Sequence, residues 1–305
     1  MRRRNDSAGL MHRVSVMLVI CSVAGDQLFV SATATVLAGA LHEAVHSGAD
    51  LTGAKLTGAR PGRADLAGAR LKQADLSHAD LSHADLRRAD LEGATLTGAT
   101  LTRARLMEAN LTNARASRAD LGGAELRFVS FGAVDLTGAD LAEADCTGAD
   151  LPAANLAGAD LSGASLVAAR LMQACLTDAC LRAADLAWAD LSRADFTRAT
   201  LVRALLVAAN LKLARFVDAD LTDADLTDAD LSGAIGLACH PGTSTRAAAR
   251  MRPIPGRAAG GHPVARATGT DPRVAVSGES RGSRRSVSAG NPGRWLPRAS
   301  TPRRG

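Results

Sequence analysis

The run ADLSHADLSHADL, from Ala74 to Leu86, places His78 and His83 among Asp75, Asp80 and Asp85. Imidazoles and carboxylates this dense are the raw material of a metal centre, which needs ligands converging at about 2 Å. They would equally serve an acid–base pair, which needs a group whose pKa is shifted by its surroundings. Cys175 and Cys180 add a third option, a disulfide, which needs Cα atoms within about 7 Å. In each set the residues of one type stand five apart. The element that carries a five-residue spacing therefore decides which chemistry is open to them.

That element is a repeat. With the leucine of Ala-Asp-Leu-x-x as position i, every fifth residue from Leu51 to Leu231 gives 37 positions, and all but six are Leu. The exceptions are Pro61, Ala116, Phe131, Cys146, Phe196 and Phe216. Position i−2 is Ala except at Val129 and Val134, and nothing is inserted or deleted. Five residues rotate an α-helix about 140° past a full turn, which would scatter the leucines around it. A flat strand has a period of two. A chain that turns a corner every fifth residue keeps Leu and Ala inside, and four corners close a coil of twenty. Backbone groups then pair with the coils above and below at about 4.8 Å. Aromatics make up 2% of the chain and Tyr is absent, so a narrow core built by repetition suits the composition.

Such a coil disperses the chemistry. His78 and His83 are i+2 residues on adjacent faces, stacked on Gly58 and Gly98 or on Arg63 and Arg103, none of them a metal ligand. The three aspartates occupy i−1 on three successive faces, outside and solvated. Cys175 and Cys180 sit at i−1 on adjacent faces and are expected as unpaired surface thiols, while Cys146 is interior packing. No glycine-rich phosphate loop and no nucleophile–base set stands out. No catalytic residue, cofactor or metal is expected, and a filled core offers no cleft.

The motif A(D/N)Lxx, seen in ADLSHADLSHADL, ANLTNARAS and ADLTDADLTDADL, resembles that of the pentapeptide repeat family across residues 49–233. The resemblance implies an all-β fold, the right-handed quadrilateral β-helix of that family. Thirty-seven pentapeptides make about nine coils, a rod of roughly 45 Å. The twenty-residue coil predicts that Phe196 stacks on Phe216, and that small Ala116 shares a coil with large Phe131. The stretch FVSFGAV (128–134), with both valine exceptions, is expected to bulge. Pro61 makes the first coil imperfect, and the register is expected to break at Ile235-Gly236.

The ends differ from the middle. Residues 1–48 are an apolar segment with two readings, a hydrophobic cap for the first coil or a signal peptide. MRRR, the apolar run Val14–Ala24 and SATA (31–34) are signal-peptide ingredients, but Asp26 interrupts them. The cap reading goes with a cytoplasmic protein, and secretion follows if residues 1–34 are a signal. An eleven-residue apolar run is too short to span a membrane. Residues 234–305, rich in Arg, Gly, Pro, Ser and Ala, read as a disordered basic tail.

Charge separates the same three parts: +1 for residues 1–48, −7 for 49–233 and +11 for 234–305. Within the repeats, residues 49–118 carry +3 and residues 119–233 carry −10. Asp120, Asp140 and Asp160 fall in one i−1 column, and Asp220, Asp225 and Asp230 crowd the last coil. A narrow rod with regularly spaced carboxylates imitates duplex phosphates to a DNA-binding protein. The resemblance implies the same, since family members that protect type II topoisomerases from quinolones are understood this way. The function expected is non-catalytic: a rigid scaffold for an unidentified protein partner, with DNA mimicry toward gyrase as its specific form. The rod itself is not expected to bind DNA, and dimerisation stays open. The competing reading is an exported structural or surface-binding rod. A second column, the i+1 positions Thr57, Ser77, Thr97, Ser117, Thr137, Thr177 and Thr197, forms a hydroxyl ladder that would suit ordered water or carbohydrate.

Overall fold

The computed structural model describes residues 18–31, 34 and 36–237. The basic tail from residue 238 onward, the first seventeen residues and part of the SATA stretch lie outside them.

Parallel bridges join residues twenty apart through the repeats: Asp50 with Arg70, Arg70 with Asp90, and so on to Arg215 with Ile235. From coil to coil the pentapeptides repeat one set of bonds. In the first, Leu51 N–H donates to Arg70 O (3.0 Å) and Gly53 N–H to Lys72 O (2.7 Å), both in the next coil. Ala54 N–H then closes the corner onto Leu51 O at 3.0 Å. Corners are therefore four-residue β-turns, and their third residue, position i+2, has positive φ in all thirty-seven. A turn with φ > 0 at that place suits glycine, yet twenty-six of the thirty-seven hold another residue. None of the twenty-six is β-branched, the side-chain class for which the left-handed region is most hindered. Thr, Ser, Val and Pro152 gather at i+1 instead, where φ is negative.

The leucines and alanines point inward and are almost wholly buried from Leu66 to Phe216. Phe196 and Phe216 stack with centroids 5.0 Å apart and planes within 1°, as the twenty-residue coil requires. Ala116 and Phe131 are both buried, so a small and a large side chain share one cross-section. The bulge expected at 128–134 is not there. Ser130 bridges Asn110 below and Asp150 above in register. The extra volume of Val129 is absorbed by stretching its corner bond to Leu126 O to 3.3 Å. Pro61 removes one inter-coil donor and no more. Its neighbours keep theirs, with Arg63 N–H on Ser82 O at 2.9 Å and Asp80 N–H on Ala59 O at 2.8 Å. The register does not break at Ile235 either: Phe216 N–H donates to Ile235 O at 2.8 Å, and only Gly236, at φ +79°, departs.

Ahead of the repeats lie a hairpin, β1 (Leu18–Cys21) and β2 (Gln27–Ser31), and a helix, α1 (Leu37–His46). The helix departs from the all-β expectation. Its residues LAGALHEAVH follow a helical spacing, with Ala40, Leu41 and Ala44 buried against the core. Gly48, at φ +73°, ends it: Gly48 N–H bonds Val45 O and Ala49 N–H bonds Ala44 O. This pair of bonds satisfies the helix's last carbonyls and turns the chain into the first coil.

The hairpin meets a backbone need. In mid-stack, the N–H at i−1 bonds the coil beneath, as Asp75 does to Ala54 O. Lys55 has no coil beneath, and its N–H bonds Cys21 O at 2.8 Å. Val23 N–H adds a bond to Gly53 O (2.8 Å), and Ile20 is buried in the core. Open β-edges otherwise invite pairing with other chains.

Candidate acidic interaction surface

The carboxylate at i−1 has a local role before any functional one. Its Oδ1 accepts the N–H of i+1, two residues on, as in Asp140 to Ala142 (2.9 Å) and Asp220 to Thr222 (3.0 Å). This is an Asx-type turn that fixes the corner. Asn serves equally: Asn110 accepts from Thr112 N–H at 3.1 Å and Asn155 from Ala157 N–H at 3.3 Å. A hydroxyl at i+1 often bonds the same carboxylate, as Thr222 Oγ1 does to Asp220 at 2.6 Å. Such bonds hold several carboxyls below the usual carboxylate range. For Asp80 the causes are the Ser82 hydroxyl and then its N–H. For Asp230 they are the Ser232 hydroxyl and N–H, with Lys212 adding to them.

Asp120, Asp140 and Asp160 bridge one another in succession, so they form one continuous column. Beside them on the same face lie Gly122, Gly123, Ala142, Ser162 and Gly163, together with Glu143. The carboxylates therefore rise from a floor of small side chains. Asp140 and Asp160 are exposed and Asp120 is half-buried, where Thr102 Oγ1 donates to its Oδ2 at 3.0 Å. Among the described residues, ion pairs link Arg70 to Asp50, Arg198 to Asp178 and Lys212 to Asp230, but none involves these three. Asp220, Asp225 and Asp230 sit on three successive faces of the last coil. There, charge also discourages end-to-end stacking of solenoids.

The hydroxyl ladder occupies one face, where several of its hydroxyls bond neighbouring carboxylates. Thr57 donates to Asp75 (2.7 Å) and Thr137 to Asp135, while Asn155 Nδ2 donates to Thr137 Oγ1 at 2.8 Å. Thr197 bonds Asp195, and Thr177 meets Cys175 Sγ at 3.4 Å. Ser77 N–H bonds Asp75 at 3.0 Å. Thr97 and Ser117 continue the column by position.

The histidines of the opening stretch sit at successive corners, on adjacent faces of the coil. His78 lies over Gly98, where a Cβ would come within 2.7 Å of the imidazole Nδ1. Cys175 and Cys180 are unbonded to each other and half-buried, and Cys180 Sγ lies 3.1 Å from Ser162 Oγ. Burial pushes the interior Cys146 thiol up to about 12, so it stays protonated.

Two features escaped the sequence reading. Phe128 and Trp188, both strongly exposed, share an i+2 column. Between and beside them the same face holds Ala168, Ala187, Leu205, Val207 and Ala208, an apolar strip next to acidic columns. Sorting residues by face as well as by position would have shown it. The second is a cluster of His42, His46 and Asp65, whose ligand atoms all lie within 4.8 Å of one another. Two histidines four apart were a visible signal, but only once their segment is known to be helical.

A family model described as pentapeptide repeats matches in eight copies, over segments running from residue 47 to residue 235. No curated protein sequence matches the chain significantly. Among solved structures, similarity extends to HetL, a pentapeptide repeat protein involved in heterocyst differentiation regulation in the cyanobacterium Nostoc sp. strain PCC 7120. It is 36% identical over 65% of this chain and 95% of its own, with a TM-score of 0.33. QnrB1, a plasmid-mediated fluoroquinolone resistance protein, is 22% identical over 59% of this chain and 88% of its own, with a TM-score of 0.34. A pentapeptide repeat protein of the Arabidopsis thaliana thylakoid lumen is 31% identical over 33% of this chain and 63% of its own, at a TM-score of 0.24.

Proposed function

This chain belongs to the pentapeptide repeat family, and from that premise we propose that it is a non-catalytic scaffold whose acidic face binds a protein partner. The supporting observation is the column Asp120–Asp140–Asp160, three carboxylates in register, outside any ion pair among the described residues and raised on small neighbours. In this reading the coil winds right-handed, as the family resemblance implies, through about nine turns.

The partner chemistry that fits is a cationic groove made for duplex DNA. Residues 119–233 carry a net −10. At twenty residues per coil and about 4.8 Å per coil they extend roughly 28 Å, so about one net charge per 2.8 Å. Duplex DNA carries one per about 1.7 Å. The two densities agree within a factor of two, which is close enough for a groove tuned to duplex charge to bind this surface. Gyrase is the partner to test, as the family resemblance implies.

The chain should displace fluorescent duplex DNA from gyrase at micromolar concentration. The D120N/D140N/D160N variant should not. Asn keeps the corner bond, as Asn110 and Asn155 do, so the variant removes charge and leaves the fold. Equal displacement by both proteins would overturn the assignment of this column. The apolar strip beside Trp188 gives the same scaffold a place for non-polar contact. The cytoplasmic placement belongs to this reading. Sequencing the N-terminus of the native protein separates it from the exported rod, because a mature start near residue 35 would sink it. No helix among the described residues is long and apolar enough to cross a membrane.

A further inference from the structure

Helix α1 packs Ala40, Leu41 and Ala44 into the core and turns another face to solvent. That face carries His42 and His46, one helical turn apart and therefore side by side. Their ring centroids are 3.9 Å apart and the planes are inclined by 39°. Asp65, at i−1 of an early pentapeptide, brings a carboxylate to the same place. One ligand atom from each of the three lies within 4.8 Å of the other two, and all three residues are exposed. No second trio of this kind occurs among the described residues.

The cluster is partly oriented. His46 Nδ1 lies 2.9 Å from the carbonyl oxygen of His42. A carbonyl accepts, so Nδ1 donates to it, and Nε2 is the nitrogen left to face a cation. This outer bond to a backbone carbonyl is the arrangement that fixes metal-binding histidines. Asp65 Oδ1 accepts Ala67 N–H at 3.2 Å, which leaves Oδ2 for a cation. Arg87 interacts electrostatically with Asp65 but is engaged elsewhere, with Nε donating to Asp85 at 2.8 Å.

We propose that His42, His46 and Asp65 bind one divalent transition-metal ion, zinc in preference, with solvent completing the coordination. Two imidazoles and one carboxylate suit Zn²⁺, whereas Mg²⁺ and Ca²⁺ prefer oxygen donors throughout. Tetrahedral ligands at about 2.0–2.1 Å from zinc lie roughly 3.3 Å apart. Exposed side chains reach that arrangement from the observed spacing by moving about 1 Å. The ion would join a helix to the solenoid it precedes, so its binding fastens α1 to the start of the coil stack.

The test is a titration of the untagged full-length chain with Zn²⁺ by calorimetry, and with Co²⁺ followed by absorption. The proposal expects one strong site, weakened at least about tenfold in H42A and in D65N. The Co²⁺ spectrum should show nitrogen and oxygen ligation with no thiolate charge-transfer band. Zn²⁺ should also slow amide exchange in α1 of the wild type and not in D65N. Circular dichroism of the metal-free variants should match the wild type, since all three side chains are exposed. Unchanged zinc binding in H42A/H46A, or a thiolate band that places the ion on cysteine, would overturn the site. Binding that D65N leaves intact would overturn the bridge between helix and solenoid.

Discussion

At the scale of single residues, position i+2 exposes the physics most clearly. Its backbone is left-handed in every corner, and the side chains there are those without a β-branch. Ala153 follows Pro152, which suits the second place of such a turn, and sits at φ +54°. Ala153→Gly should stabilise the fold by up to about 1 kcal/mol, and Ala153→Val should destabilise it by about 1–2 kcal/mol. Equilibrium denaturation of both variants checks the opposite signs. This rule was present in the sequence, as glycines at i+2 and Thr, Ser, Val and Pro at i+1, but it is a weaker signal than the periodicity of Leu and Ala. The carboxylates add a pH dependence. Asp50 lies below its ordinary value because of the Thr52 hydroxyl and N–H, and Asp80 and Asp230 because of their serines. A lowered folded pKa means stability that is complete above the unfolded value and lost as pH falls through the folded one. The melting temperature should therefore hold from neutral pH to about 5 and decline below about 4. A melting temperature that rose on acidification would contradict these bonds.

At the scale of elements, the coil was legible because its period is unbroken. Twenty-residue spacing placed Phe196 on Phe216 without any structural input, and the rings do stack. What the period could not reveal was its own tolerance. Val129 stretches one corner bond rather than forcing a bulge, because a coil bonded above and below spreads a small misfit over many contacts. The elements outside the period were hidden for a related reason. The hairpin meets the first coil where Lys55 N–H needs an acceptor, and Cys21 O supplies it. The helical spacing of LAGALHEAVH is only ten residues long, too short to stand out beside the repeats. The nearest-neighbour character of the stack also sets the consequence of a core substitution. Leu141 is wholly buried in mid-stack. Leu141→Asp should abolish cooperative folding, because the lost burial of about 2 kcal/mol is compounded by an unpaired buried charge. Limited proteolysis would show cleavage within the repeats of the variant and none in the wild type.

At the scale of the molecule, the proposed function rests on charge rather than shape. The core is generic, since any A(D/N)Lxx sequence builds one, and the faces are where this chain is particular. The column Asp120–Asp140–Asp160 was legible in the sequence because stacked residues differ by twenty. Its freedom from ion pairs among the described residues was not, because pairing depends on which long side chains reach across coils, as Arg198 does to Asp178. The measurement that bears most directly on the account is DNA supercoiling by gyrase, with the chain added at micromolar concentration. The wild type should inhibit supercoiling, more weakly as salt is raised, or protect the enzyme from a quinolone. The D120N/D140N/D160N variant should do neither while melting at the same temperature. No effect of the wild-type chain at low salt, or an effect that survives in the variant, would contradict the account.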